Sequence, residues 1–130
     1  MPLVRVDIPT GMSAEQRQTI SDVIDDAMRT TIDVPLNDRF HLFTASERIY
    51  DRSYLGIDRS DGTIFIAVTL RKGRTVEKKR AFYAAIADGL HERLGARKED
   101  VFIVLNENDL PDWSFGNGIA QYMPGEPVTT

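Results

Sequence analysis

Few residues of this chain carry usable chemistry. Pro2 follows Met1, Arg71 and Arg74 stand close together ahead of a helical pattern, and Asp38 lies in the segment Pro35-Leu36-Asn37-Asp38-Arg39-Phe40. Trp113, Phe115 and Tyr122 fall in a glycine-rich stretch towards the end. An α-amino group has a reference pKa of about 7.7–8.0, far below that of lysine, which suits proton transfer near neutral pH. Proline makes that group a secondary amine whose ring fixes the direction of its lone pair. The chemistry requires loss of Met1, because with Met1 attached the nitrogen is an amide. Arginine suits a carboxylate, since its planar fork binds two oxygens at once. Arg74 precedes a candidate helix cap, Thr75, where the positive end of a helix also favours anions. Each residue has a plain reading too. Arg74 can be a solvated residue at a helix start, Asp38 a turn residue after Pro35 or a partner of Arg39, and Trp113 simple packing.

Other chemistries find little support. There is no cysteine, which excludes a disulfide framework, a thiolate metal site and a Cys nucleophile. No Gly-x-Ser-x-Gly elbow and no phosphate-binding glycine loop is present. His41 and His91 lack partners at catalytic or metal spacing, and no metal site is expected. His91 reads as a solvated helix residue. Asp25 and Asp26 read as the polar side of a helix, and residues 97–100 as a solvated turn. Sixteen Lys and Arg against twenty Asp and Glu leave a net charge of −4 with both signs interspersed. That balance lacks the basic stripe of a nucleic-acid binder. No apolar run approaches the roughly 20 residues that span a bilayer, so no membrane association is expected. The beginning of the chain lacks the apolar core of a secretion signal, and a cytoplasmic protein is the expectation.

The elements that must position these residues form a repeat. Residues 2–8 read as a strand, and Ser13 with Gln16 is a capping box that opens a helix. Ile20, Val23, Ile24, Ala27 and Met28 give that helix one apolar face. A second strand falls near residues 39–44. Residues 63–70 form a nearly continuous apolar strand, as expected when both faces are covered. Thr75 caps a second helix, with Phe82, Ile86, Leu90 and Leu94 at four-residue spacing and Gly95 as its stop. Residues 101–105 complete a fourth strand. The chain thus divides into βαβ (2–46), a connection (47–62), βαβ (63–105) and an irregular aromatic tail (106–130) containing Pro111, Pro124 and Pro127. Right-handed βαβ units pair their strands in parallel. The expected fold is α/β (α+β): one domain, a four-stranded sheet with two helices on one face. The other face is either wet, as in a ferredoxin-like monomer, or covered by partner subunits, for which a symmetric trimer is one solution.

With these residues in view, the chain resembles the tautomerase superfamily, and more specifically the branch that includes malonate semialdehyde decarboxylase. Pro2 stands where the family has its catalytic amino-terminal proline. Residues 35–40 resemble the segment carrying a catalytic Asp, here Asp38. Gly73-Arg74-Thr75 with Lys78, Lys79, Ala81, Phe82 and Tyr83 resembles the segment of the substrate-binding arginines. Residues 112–122, from Asp112-Trp113 to Tyr122, resemble the aromatic tail motif. The decarboxylase pattern separates its two arginines by one residue, whereas Arg71 and Arg74 are separated by two. The resemblance implies a homotrimeric, cofactor-independent enzyme acting on a small carboxylated carbonyl compound. Pro2, Asp38 and Arg74 are then catalytic, and Arg71, Trp113, Phe115 and Tyr122 bind substrate. Enol–keto tautomerisation is the leading activity. Decarboxylation of a β-aldehyde acid, or a non-catalytic trimeric binding protein of the same fold, are the alternatives.

Overall fold

The computed structural model describes residues 2–125. In order, its elements are β1 (Leu3–Ile8), α1 (Ala14–Thr31), β2 (His41–Ala45), β3 (Ile64–Arg71), α2 (Val76–Leu94) and β4 (Val101–Asn108). Single 3₁₀ turns occur at Tyr54–Gly56, Lys98–Asp100 and Leu110–Asp112. The helix boundaries follow from local chemistry. Ser13 and Gln16 form the reciprocal capping box at the start of α1, and Thr75 caps α2 by accepting from the Lys78 N–H. Gly95 ends α2 at φ 75°, a left-handed conformation that a side chain would strain.

The sheet order is β2-β1-β3-β4. The outer pairs β1·β2 and β3·β4 are parallel, as two βαβ units require, and β1·β3 in the middle is antiparallel. One face is the core. Val4, Val6 and Ile8 of β1 and Ile64, Ile66, Val68 and Leu70 of β3 are buried with Ile20, Ile24 and Met28 of α1 and Phe82, Ile86 and Leu90 of α2. Each such side chain contributes about 1.5–3 kcal/mol relative to exposure. The helices touch at Gly89, where a Cβ would lie 2.7 Å from Cγ1 of Val23.

The second face is open in the single chain. Cross-strand register sets Leu42, Arg5, Ala67 and Val104 in one row, and Thr44, Asp7, Phe65 and Phe102 in the next. Leu42, Phe102 and Val104 are each more than two-fifths exposed. The connection lies partly over this face: Tyr50 meets Phe65 edge-on at 5.1 Å, and Arg48 binds Asp7 at 3.0 Å.

Three sequence expectations change. β4 continues to Asn108, because Asn106, Glu107 and Asn108 pair with Thr69, Leu70 and Arg71 although they lack apolar alternation. Residues 97–100 are not simply a solvated turn. Asp100 is buried and accepts from the Ser60 N–H at 2.7 Å and from the Ser60 and Thr63 hydroxyls. Burial alone would raise its pKa, but these hydrogen bonds outweigh it and hold the carboxyl below its ordinary value. Asp25 is likewise buried rather than on the polar side of α1, since Arg39 reaches it at 3.0 Å.

Candidate active site

The chain's beginning and the ends of β3 and β4 meet at one edge of the molecule. Antiparallel pairing sets Leu3 opposite Thr69, and parallel pairing sets Thr69 opposite Asn106 and Arg71 opposite Asn108. The tail then folds back over this edge. It turns at Leu110–Asp112, where the Asp109 N–H donates to the Asp112 carboxylate at 2.8 Å. The indole N–H of Trp113 donates to Oδ1 of Asn108 at 2.7 Å, anchoring the ring to the strand end. Phe115 stacks on Trp113 at 5.5 Å with 8° between the planes, and Tyr122 meets Phe115 edge-on at 5.1 Å. Gln121 closes the loop by accepting from the Phe115 N–H and donating to the Gly116 carbonyl, both at 2.9 Å. The glycines of this motif serve the turn: Gly116 and Gly118 adopt φ of 140° and 69°.

Beneath this aromatic lid is a cleft of about 440 Å³. Pro2, Phe40, Thr69, Asn108, Trp113 and Phe115 line it, together with Leu3, Asp112 and Ser114. Next to it, a cavity of about 270 Å³ is lined by Asp33, Arg71, Lys72, Gly73, Arg74 and Lys78. The two meet where Arg71 of the second pairs with Asn108 of the first.

The charges in the second cavity are sorted. Lys78 pairs with Asp33, Lys72 with Asp109 at 3.0 Å and Lys79 with Glu107 at 2.8 Å. Arg71 and Arg74 have no acid partner among the described residues. Arg74 donates through Nε to the Ile32 carbonyl at 3.1 Å and through Nη1 to the Arg71 carbonyl at 3.2 Å. Two of its five N–H bonds are thus used and its plane is fixed, leaving three for a carboxylate, both of those on Nη2 among them. Burial, and next the charge of Arg71, shift the Arg74 pKa downward. A guanidinium stays charged under such a shift, and an incoming anion relieves both costs.

Pro2, Trp113 and Phe115 therefore share one cleft, whereas Arg71 and Arg74 line the adjoining cavity. Tyr122 lines neither of these two cavities; its ring meets Phe115 edge-on. Asp38 is half-buried beside a turn and two residues before Phe40, whose ring lines the cleft and whose carbonyl accepts from Val4 N–H at 2.9 Å. Removal of Met1 concerns a residue outside those described, as does Pro127. Arg39 does not pair with Asp38 but with Asp22 at 2.7 Å and with Asp25. His41 stays out of the site: its Nδ1 lies 2.7 Å from Ser21 Oγ on α1. Burial, and next the positive charge of Arg39, pull its pKa down to about 4. His91 is exposed with Nδ1 3.0 Å from the Ala96 carbonyl. Among the described residues no group of three or more His, Asp or Glu is placed to hold a metal ion, and no helix is long and apolar enough to cross a membrane. The sequence reading missed Asn108, Thr69 and Asp112 as cleft residues. Their only sequence signal is position, next to the end of an apolar strand or at the head of the aromatic motif.

A mixed four-stranded sheet with two helices packed on one face is the architecture of the tautomerase fold. The chain belongs to the tautomerase family. It matches the family described as Tautomerase enzyme over residues 36–116, and a second family of the same description over residues 2–45. It is 44% identical over 124 residues to the probable tautomerase YusQ of Bacillus subtilis (strain 168), covering 93% of this chain and 98% of that protein. Among solved structures it is similar to FG41 malonate semialdehyde decarboxylase inhibited by 3-bromopropiolate, with 40% identity, a TM-score of 0.86, and coverage of 92% of this chain and 93% of that one. A fused 4-OT symmetric trimer superposes with a TM-score of 0.72 at 25% identity, over 89% of this chain and 93% of that one.

Proposed function

We propose that the protein catalyses enol–keto tautomerisation of a small carboxylated carbonyl compound, with the nitrogen of Pro2 as the proton carrier. One observation carries the reading. Pro2 lies in an aromatic-walled cleft beside two arginines that lack acid partners among the described residues, while each lysine around them is paired. Arg74 and Arg71 hold the substrate carboxylate by their forks. Their positive charge disfavours a protonated amine nearby, which leaves Pro2 neutral and able to act as a base. It takes a proton from the enol hydroxyl or from carbon next to the carbonyl and returns it at the other position. Asp38 assists by orienting a water or by hydrogen bonding the ring nitrogen. Trp113, Phe115 and Tyr122 exclude water, which strengthens the polar contacts inside.

The similarity to a malonate semialdehyde decarboxylase favours a second reading. There Pro2 is protonated and polarises the carbonyl oxygen, the clamped carboxylate leaves as carbon dioxide, and the enol that remains takes up a proton. The dependence of kcat/KM on pH separates the two. Activity lost below a pKa means a base, and activity lost above it means an acid. Mass spectrometry of the natively expressed chain supplies the prior condition: retained Met1 makes the nitrogen an amide and sinks both readings, leaving the non-catalytic binding protein. A homotrimer is part of the proposal. It is supported by the exposed Leu42, Phe102 and Val104 on the open sheet face and by the similarity to a symmetric trimer. Sedimentation of the purified protein as a monomer contradicts it.

A further inference from the structure

We infer that Asn108 binds the carbonyl oxygen of the substrate, an inference that rests on the carboxylated-carbonyl reading of the cleft above. Asn108 is the last residue of β4 and sits at the junction of the two cavities, lining the Pro2 cleft and paired in register with Arg71. Its backbone is fixed, since its carbonyl accepts from the Lys72 N–H at 2.8 Å. Its side chain is fixed as well, because Oδ1 accepts from the Trp113 indole at 2.7 Å. An indole nitrogen is a donor only, so it dictates which end of the amide faces it. The oxygen must face Trp113, and the NH₂ group must point away from it. Those two N–H bonds have no partner among the described residues. Asn108 is only half-buried, so they are hydrated in the free enzyme.

The neighbouring polar groups do not offer the same chemistry. Asp112 accepts from the Asp109 N–H and brings a negative charge, which repels an oxygen that gains charge. Arg71 and Arg74 lie in the next cavity, suited to the carboxylate. A substrate spanning the junction with its carboxylate on the arginines brings its carbonyl past Asn108 towards Pro2. A neutral N–H donor held there stabilises negative charge on that oxygen as the proton moves, without raising the pKa of Pro2 as a carboxylate would. Trp113 thereby acquires a second role, as the group that orients the amide.

The test is calorimetric binding of a matched pair of ligands, phenylpyruvate and 3-phenylpropionate, which differ only in the carbonyl. The proteins are the wild type, Asn108→Ala, Trp113→Phe and the double variant. Asn108→Ala should weaken phenylpyruvate by about tenfold and leave 3-phenylpropionate within about twofold. In the Trp113→Phe background, where the amide has lost its orienting donor, Asn108→Ala should cost phenylpyruvate less than it does in the wild type. Equal loss for both ligands overturns the inference and makes Asn108 a support for Trp113 alone. Undiminished phenylpyruvate binding by Asn108→Ala overturns it outright. Binding needs no turnover, so the result is separate from the fate of the proton-transfer reading, which the Pro2→Ala variant decides.

Discussion

The C-terminal ends of β1 and β3 are built alike, yet only one of them gathers the residues of the proposed site. In each βαβ unit the strand is followed by a glycine with positive φ, Gly11 at 93° and Gly73 at 128°. Two residues later stands a hydroxyl cap, Ser13 or Thr75, and then a helix. The residue between glycine and cap differs. It is Met12 in the first unit and Arg74 in the second. The first end has a cavity of about 300 Å³ lined in part by Met12, Arg17 and Phe43, and Arg17 spends an N–H on the Met12 carbonyl at 2.8 Å. The second end has Arg71 and Arg74 without acid partners among the described residues, Pro2 brought in by the antiparallel strand, and the tail folded over it. The repeat supplies two equivalent positions. Three additions distinguish the proposed site: a guanidinium before the cap, Pro2 at the start of β1, and an aromatic lid.

The comparison breaks most visibly at Arg74. Replacing it with Ala should lower kcat/KM by about 10²- to 10³-fold, mainly through KM, whereas Met12→Ala at the equivalent position should leave kinetics unchanged. Arg74→Lys keeps the charge but not the fork and should recover only part of the loss. Steady-state kinetics of phenylenolpyruvate ketonisation reads all three.

The first unit has its own feature with no counterpart in the second, the knot around His41. Ser21 Oγ lies at its Nδ1, and Arg39, Asp22 and Asp25 face it. The folded pKa of about 4 lies below the ordinary 6.5, so the unfolded chain takes up the proton first. Stability from this group is fully present above pH 6.5 and is lost as pH falls towards 4. After discounting for solvent screening of this partly exposed ring the loss is on the order of 1–2 kcal/mol, and denaturant melts should show it as a slope that flattens in His41→Asn.

Gly89→Ala probes the contact of the two units rather than either end. The change gains about 1 kcal/mol in helix propensity. The new Cβ meets the stiff Val23 side chain at 2.7 Å, so the melting temperature should fall rather than rise. Gly11→Ala and Gly73→Ala should each cost about 1–2 kcal/mol through positive φ. Only Gly73→Ala should also alter KM, because it moves the segment that presents Arg71 and Arg74.

What the sequence revealed divides along the same line between local and distant causes. Both helix starts, the Gly95 stop and the strand at β3 were legible, because caps and periodicity act within a few residues. The burial of Asp25 and Asp100 was not, because it depends on Arg39 and Ser60, which reach them from elsewhere in the chain. The last residues of β4 were hidden by their polarity. Asn108, the residue that joins the two cavities, therefore read as tail. Pro2, Asp38 and Arg74 became candidates only through a family resemblance, since local spacing alone leaves each an ordinary reading. The placing of Arg71 and Arg74 in a cavity beside the Pro2 cleft, rather than in its wall, had no sequence signal.

The claim beneath all of this is that a free nitrogen on Pro2 carries the proton. Its most direct test is the rate of phenylenolpyruvate ketonisation by Pro2→Ala, with Trp113 emission and the melting curve as controls for an intact site. The account predicts a loss of about 10²-fold or more with both controls unchanged. Wild-type turnover by Pro2→Ala would contradict it.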